Sequence, residues 1–369
     1  MAGPMAIPAA PVLEPLNFSA IPGWAKDDHA AALAAFKRSC AEIAATGKGF
    51  ERKVTFGGTR EQWLAVCVKA QKAGDARRFF EENFQPFKVN DPARGEGLFT
   101  GYYEPAVLGS RTLSGIFHVP LYRKPANLVA FDGPTAKRLG VKYGRRIPGK
   151  GPSPYFTRKE IEQGALTGQG LEIAWLSDWA DAFFMQIQGS GRVRLADGST
   201  LRLAYAGKSG RPYTAIGHVL AKRGVFTRDQ MSMQAARAWM ADNGQAAREL
   251  MWRNESFVFF REVEVNDPKL GPPGAQQVLL TPRRSLAVDR DLWMFGTPVW
   301  LDMQTPSGPN AAMEPFRHLT IAQDTGTAIK GLARGDVFWG AGERAALTAG
   351  HMKSPGTMIV LLPNGIAPP

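Results

Sequence analysis

Residues 318–340 read His318-Leu-Thr-Ile-Ala-Gln-Asp324-Thr-Gly-Thr-Ala-Ile-Lys-Gly-Leu-Ala-Arg-Gly-Asp336-Val-Phe-Trp-Gly340. Two apolar runs, 318–323 and 336–339, flank a Gly-containing turn, and each is too short for a helix. An aspartate closes the first run and opens the second. Similar runs recur at 286–288, 298–301 and 357–362. Short strands at this spacing suggest a small β-barrel. Asp289 follows the first of these runs, so three carboxylates stand at strand ends, where a barrel holds a side chain rigidly. Turn and cap aspartates are the alternative reading.

Working outward, the Pro/Gly-rich stretch 266–274 reads as a crossover or linker. Upstream of it, 256–261 is a strand candidate, and 213–223, 228–241 and 245–252 are helix candidates. The segment Gly97-Leu-Phe-Thr-Gly-Tyr-Tyr-Glu-Pro105 is an aromatic strand ended by proline. Residues 24 to about 87 read as helical. A first helix follows Asp27-Asp28 and stops near Gly47. A second opens at Thr59-Arg-Glu-Gln62, a capping-box pattern that Thr157-Arg-Lys-Glu160 repeats. Cys40 and Cys67 each fall in one of the two N-terminal helical patterns. They read either as two buried free thiols or as a disulfide formed in an oxidising compartment.

Composition narrows the functions. Of 369 residues, 44% are hydrophobic and 21% charged, which excludes disorder and fibrous folds. The 40 glycines and 27 prolines imply many turns. No apolar run approaches the ~20 residues of a membrane helix. The net charge of +12 points to a polyanionic partner: nucleic acid, anionic lipid or an acidic wall polymer. Eight basic residues lie between Lys137 and Lys159 without an acidic one. They form either a solvated loop or an electrostatic landing strip, with Tyr143 and Tyr155 placed to stack. No HxxxH or CxxC spacing occurs, so neither a metal site nor a cofactor is expected. GxSxG and GxxxxGK[ST] are absent too. Asp324-Thr-Gly326 occurs without the second copy that an aspartic protease needs. The first 18 residues lack the charged and apolar regions of a signal peptide and read as a Pro/Ala tether.

Four segments together resemble the membrane-bound lytic murein transglycosylase A family: Gly101-Tyr-Tyr-Glu-Pro105, Met185-Gln-Ile-Gln-Gly-Ser-Gly191, Gly296-Thr-Pro-Val-Trp300 and Asp324-Thr-Gly-Thr-Ala-Ile-Lys-Gly331. The fourth is followed by Asp336-Val-Phe-Trp-Gly340. The C-terminal part also resembles the three-aspartate domain, with Asp289, Asp324 and Asp336 at the matching positions. The resemblance implies an α+β fold, mainly β with N-terminal helices. A double-psi β-barrel domain (residues 23–105 plus 262–369) would follow a flexible tether (1–22). A smaller, mainly β domain (106–261) would be inserted into it, with a groove between the two.

The implied reaction is cleavage of the β-1,4 bond between N-acetylmuramic acid (MurNAc) and N-acetylglucosamine (GlcNAc) in peptidoglycan, leaving 1,6-anhydro-MurNAc ends. A single aspartate, Asp336, acts as general acid and then base, with its pKa raised. Asp324 and Asp289 orient neighbours or stabilise charge. Substrate contacts would come from Tyr103, Glu104, Gln186, Gln188, Gly189, Ser190, Gly191, Thr325, Gly326, Ala328 and Lys330. Tyr103 reads equally as a core residue, and Lys330 either contacts sugar or neutralises Asp324. Thr327 replaces the second glycine of the Asp-Thr-Gly-Gly pattern and would be strained if that position required positive φ. The segment before Gly296 also departs from the family's apolar-Pro-Leu. The expected partners are glycan strands and other cell-wall enzymes, not nucleic acid. The expected location is the periplasm, with outer-membrane association or an anchor through a leader outside this sequence. The alternatives are a peptidoglycan binder without catalysis and, ranked below it, a basic nucleic-acid binder.

Overall fold

Three capped helices open the first unit. Asp28 accepts the Ala31 N–H ahead of helix His29–Ala45, and Asp75 does the same for Arg78 ahead of Ala76–Asn83. Between them, Thr59 and Gln62 close a complete capping box on Arg60–Lys72. The computed structural model describes residues 12–227, 230–307 and 312–366. Cys40 and Cys67 are disulfide-bonded and join the first two helices, with Cα atoms 5.3 Å apart.

The chain forms two units by its contacts. One comprises Met1–Tyr102, Lys269–Gly340 and Leu347–Pro369; the other comprises Tyr103–Pro268 and Ala341–Ala346. In the first, strands follow the order Lys353–Pro363, Pro298–Pro306, Met313–Asp324, Ser285–Val288, Arg334–Ala341, Gly97–Glu104. The last pairs back to the first and closes a six-stranded barrel. This is the mainly β, helix-bearing barrel fold that the sequence implies. Alternation along each strand sorts the side chains by face. Trp300, Leu319, Ile321, Ile359 and Leu361 pack with the three helices, so that face is the outside. Val299, Leu301, Met358, Val360 and Leu362 form the inner cluster with Phe99, Leu286 and Val337.

Several expectations change here. Residues 84–89, read as the end of a helical region, are the strand Phe84–Val89, paired with Lys353–Pro363. Residues 1–11 of the expected tether, and 228–229 at the start of one helix candidate, lie outside the described residues. From residue 12 the expected tether is built into the fold, for Leu13–Pro15 pairs with Phe87, Lys88 and Val89. Thr327 does not have positive φ; among the described non-glycine residues only Gln277 and Arg283 do, so the threonine is not strained.

The second unit is built on a six-stranded sheet in the order Val258–Glu262, Thr200–Lys208, Ser190–Arg194, Ala106–Ser110, Glu172–Leu176, Val119–Tyr122. An isolated bridge, Arg123↔Phe260, brings its two ends together. Helix Trp179–Gln188 contributes Ala182 and Met185 to the core of this sheet. A separate three-stranded sheet, Leu128–Ala130, Tyr143–Ile147 and Gly151–Pro154, carries much of the basic run. Lys137, Arg138, Lys142, Arg146 and Lys150 are exposed there. Arg145 stacks on Phe156, and Arg158 is buried against Glu162. Tyr155, expected at a binding surface, is fully buried with its hydroxyl on Asn127. No described helix is long and apolar enough to cross a membrane.

Candidate active site

Asp324 and Asp336 meet through one small residue between them. Ala287 pairs with Asp324 on its parallel neighbour and with Asp336 on its antiparallel neighbour. Paired residues point to the same side of a sheet, so the two carboxylates flank the Ala287 methyl group. Their strands lie two inter-strand spacings apart, roughly 10 Å at the backbone.

Strict alternation would not put them there. Ala322 belongs to the inner cluster, so Asp324, two residues on, should also point inward. A register shift between Leu286 and Ala287 inserts one extra residue, Gln323, and turns Asp324 outward. Gln323 is pinned in the bulge by three side-chain contacts. Its Nε2 donates to Ala35 O and to Ser39 Oγ, each at 2.9 Å, and its Oε1 accepts from Ser285 Oγ at 2.5 Å. The first helix thus sets the direction of a carboxylate almost 290 residues away in sequence, the Ala35–Gln323 separation being 288.

Each carboxylate has its own setting. Asp324 accepts three hydrogen bonds: from Ala275 N at 2.9 Å and Thr325 N at 2.8 Å on Oδ1, and from Tyr102 Oη at 2.8 Å on Oδ2. The Ala275 bond depends on Gly274, where a Cβ would stand 2.7 Å from Gln323 O and 3.3 Å from Asp324 Cγ. Asp336 accepts one bond, from Thr100 Oγ1 at 2.5 Å on Oδ1, and its Oδ2 has no partner among the described residues. Burial pushes both carboxyl groups above the ordinary range. Three donors oppose this at Asp324, and the charge of Asp336 reinforces it. At Asp336 the opposition comes from the Arg334 guanidinium and then Thr100. Burial and the charge on Asp324 also drive the Tyr102 hydroxyl well above its usual value, so it stays a donor. Tyr102 packs on Phe338, with ring centroids 5.3 Å apart.

Asp289 is held elsewhere. Lys330 Nζ donates to its Oδ1 at 2.8 Å, Asp291 N to the same oxygen at 3.2 Å, and Gly331 N to its Oδ2 at 3.1 Å. Lys330 therefore pairs with Asp289 and Asp291, not with Asp324 as one expectation had it. Thr325 Oγ1 donates to Val288 O at 2.8 Å, fixing the loop after Asp324. Gly326 O accepts from Ile329 N in the same turn, which leaves Ala328 exposed.

Several of the expected substrate contacts sit inside the second unit. Glu104 is fully buried, with Arg192 Nε on one oxygen at 2.8 Å and Arg202 on both oxygens at 3.0 and 2.6 Å. With both oxygens held by arginines and no exposed surface, it anchors the strand and does not make the expected sugar contact. Tyr103 is a core residue whose hydroxyl faces Met233 Sδ. Its N–H donates to Gln188 Oε1 at 3.1 Å. Gln186 and Ser190 are buried. Gly189 caps the helix with φ 78°, and Gly191 packs so closely that a Cβ would lie 2.5 Å from Met185 Cε. Sequence reasoning missed Thr100, Tyr102, Ala275 and Arg334. The period-2 alternation of Gly97–Glu104 separates Tyr102 from Tyr103, and that signal was available.

A pair of half-buried carboxyl groups on the wall of a closed barrel, one held by three donors and one with an oxygen that has no partner among the described residues, is acid–base equipment of the kind that cleaves glycosidic bonds. Residues 98–261 match the MltA specific insert domain, and residues 284–362 match the 3D domain. The membrane-bound lytic murein transglycosylase A of Vibrio cholerae is 36% identical over 70% of this chain and 64% of its own length. That of Escherichia coli K12 is 32% identical over 83% of this chain and 77% of its own. The crystal structure of membrane-bound lytic murein transglycosylase from Agrobacterium tumefaciens superposes with a TM-score of 0.83 at 33% identity, covering 95% of this chain and 97% of that one. The structure of E. coli MltA with bound chitohexaose gives a TM-score of 0.64 at 28% identity, covering 96% and 92%. The chain belongs to the membrane-bound lytic murein transglycosylase A family.

Proposed function

We propose that this protein is a lytic transglycosylase of peptidoglycan, cleaving the MurNAc–GlcNAc β-1,4 bond with Asp336 as the single acid and base. The observation that carries the reading is the unequal dress of the two carboxyl groups. An acid must present an oxygen to the substrate, and among the described residues Asp336 Oδ2 is the one carboxyl oxygen of the pair without a donor. The pair titrates together. Three donors favour the charged form of Asp324, so the shared proton belongs on Asp336.

The chemistry follows from that placement. Asp336 gives its proton to the glycosidic oxygen, and the bond from MurNAc C1 to that oxygen breaks. Positive charge develops on the sugar ring, and ionised Asp324 stabilises it. The C6 hydroxyl of the same MurNAc attacks C1, forming the C1–O6 bond, and returns its proton to Asp336. No water is consumed, and the carboxyl ends as it began. One principal carboxyl suffices where glycosidases commonly use two, because the substrate brings its own nucleophile at an effective molarity of ~10⁵–10⁸ M. The chitohexaose in the E. coli structure, a β-1,4 glycan, supports this substrate class. A glycan substrate of this kind supports a location at the cell wall, in the periplasm, and the membrane-bound relatives support outer-membrane association.

The test is incubation of purified protein with sacculi and mass analysis of the products. Anhydro-muropeptides, lighter by one water than hydrolytic products, are expected. Reducing-end products would make the protein a hydrolase, and binding without products would make it a wall-binding protein.

A further inference from the structure

We propose that Thr100 and Arg334 form a hydrogen-bond relay that fixes which oxygen of Asp336 carries the transferable proton. This rests on the assignment of Asp336 as the acid. The geometry is directional. Arg334 is buried, and its Nη1 donates to Gly335 O and, at 3.4 Å, to Leu98 O. Its Nη2 donates to Thr100 Oγ1 at 2.8 Å. A guanidinium has no acceptor, so the threonine oxygen can only receive this bond, and its single proton must point elsewhere. The acceptor within reach is Asp336 Oδ1, 2.5 Å away. A hydroxyl polarised by a cation is a stronger donor. Oδ1 is therefore held as an acceptor, and a proton on the carboxyl group resides on Oδ2, the oxygen with no partner among the described residues.

The backbone holds the relay in place. Thr100 and Tyr102 point to one face of their strand and Gly101 to the other, where a Cβ would lie 2.6 Å from Trp339 Nε1 and 2.9 Å from Ala349 Cα. The strand lies too close to its neighbours to move Thr100 away. The same strand thus serves both carboxyl groups: Thr100 orients Asp336 and Tyr102 orients Asp324. Thr100 and Arg334 are positioning residues, because they act through Asp336.

The relay also tunes acidity. Besides Thr100, the groups that act on or feel Asp336 are Arg334, Asp324 and the Tyr102 phenol, and Arg94 stands near Arg334. Arg334 and Thr100 both pull the Asp336 pKa down against burial, so removing either raises it. The acid must start protonated, and activity is lost as pH rises through its pKa. The alkaline limb of the rate profile should therefore move to higher pH when the relay is cut.

The experiment compares Thr100→Val, which keeps the shape without the hydroxyl, with Thr100→Ser and Arg334→Met in the full chain. Two readouts are used: carboxyl ¹³C NMR titration of Asp336, and kcat and KM on glycan strands. Thr100→Val should raise the Asp336 titration midpoint and lower kcat about 10- to 100-fold, the range for a hydrogen bond to a charged group, with KM little changed. Thr100→Ser should restore both. An unmoved Asp336 midpoint in Thr100→Val, or equal damage in Thr100→Ser, overturns the relay. If Arg334→Met does not fold, the two threonine variants still decide. Absence of turnover by the wild-type protein would refute the assigned reaction, while the titration comparison would still test the relay.

Discussion

Asp336→Asn is the sharpest probe of the assigned chemistry. The amide keeps the size of the carboxyl group, and its oxygen can still accept the Thr100 hydroxyl bond that Oδ1 accepts at 2.5 Å. Its NH₂ then takes the place of Oδ2 and faces the glycosidic oxygen. That group can donate a hydrogen bond but cannot transfer a proton. General acid–base catalysis contributes about 10²–10⁴-fold, and here one group serves both the departure of the leaving oxygen and the attack by C6–OH. We expect kcat to fall at least ~10³-fold, a rise of about 4 kcal/mol in the barrel-bound transition state, with glycan affinity nearly unchanged. The assay is release of anhydro-muropeptides from sacculi, with binding of the same variant measured by co-sedimentation. Asp324→Asn supplies the contrast. It removes a negative charge beside Asp336, so the Asp336 pKa should fall and the alkaline limb should move to lower pH, opposite to the Thr100→Val shift. If Asp336→Asn kept most of its activity while Asp324→Asn abolished it, the roles would be reversed and Asp324 would be the acid.

Three further outcomes test other parts of the structure. Thiol titration of denatured, unreduced protein should find no free thiol, and reduction should destabilise folding by about 3–4 kcal/mol on the chain-entropy account, given the 27-residue separation of the cysteines; two free thiols would refute the bridge. Replacing exposed Lys142, Arg146 and Lys150 with Gln should weaken sacculus binding most at low salt and leave cleavage of short uncharged glycans intact, since exposed charges are screened over ~10 Å at 0.1 M; equal loss on both substrates would make the lobe structural. The Asp27 side chain is fully buried, and against that burial its bonds from His318, from Arg284 (two) and from Leu319 N hold its pKa far below the usual carboxylate range. Its stabilisation is present above the unfolded carboxylate pKa of about 3.9 and is lost as pH falls through the folded value. Asp27→Asn should cost about 3–5 kcal/mol near neutrality and progressively less in acid, as followed by denaturant titration at several pH values; a penalty independent of pH would refute the ion pair.

The parts of this fold that were legible in the sequence are those decided within a few residues. Thr59 with Gln62 and Thr157 with Glu160 form capping boxes because the bonds close locally. The strand cores at 286–288 and 336–339 show as apolar runs. Long-range decisions were not legible. Pro86 marks the end of the helix Ala76–Asn83, but Phe84–Val89 becomes a strand only by pairing with Lys353–Pro363. Pro298–Pro306 and Met313–Asp324 extend past their apolar cores because Pro298–Pro306 pairs with residues 313–321, which carries polar residues into the ladder. The carboxyl groups of the site could be picked from strand-end placement. Their orientation could not, since it depends on the Gln323 bulge and its contact with the first helix. Glu104 misled for the same reason: its arginine partners are 88 and 98 residues away.

The barrel ring imposes an order on the birth of the molecule. Gly97–Glu104 leaves the ribosome early, yet its partner Lys353–Pro363 is the last described strand to appear. Residues 103–268, nearly all of the second unit, form an unbroken stretch that can fold while the rest is still being made. The wall that carries the two carboxyl groups waits, because the strand of Thr100 and Tyr102 has no closed sheet until the last described strand arrives. On the proposed reaction, a chain that ends before Lys353 would lack the closed sheet behind Asp336, and glycan cleavage would be confined to finished molecules.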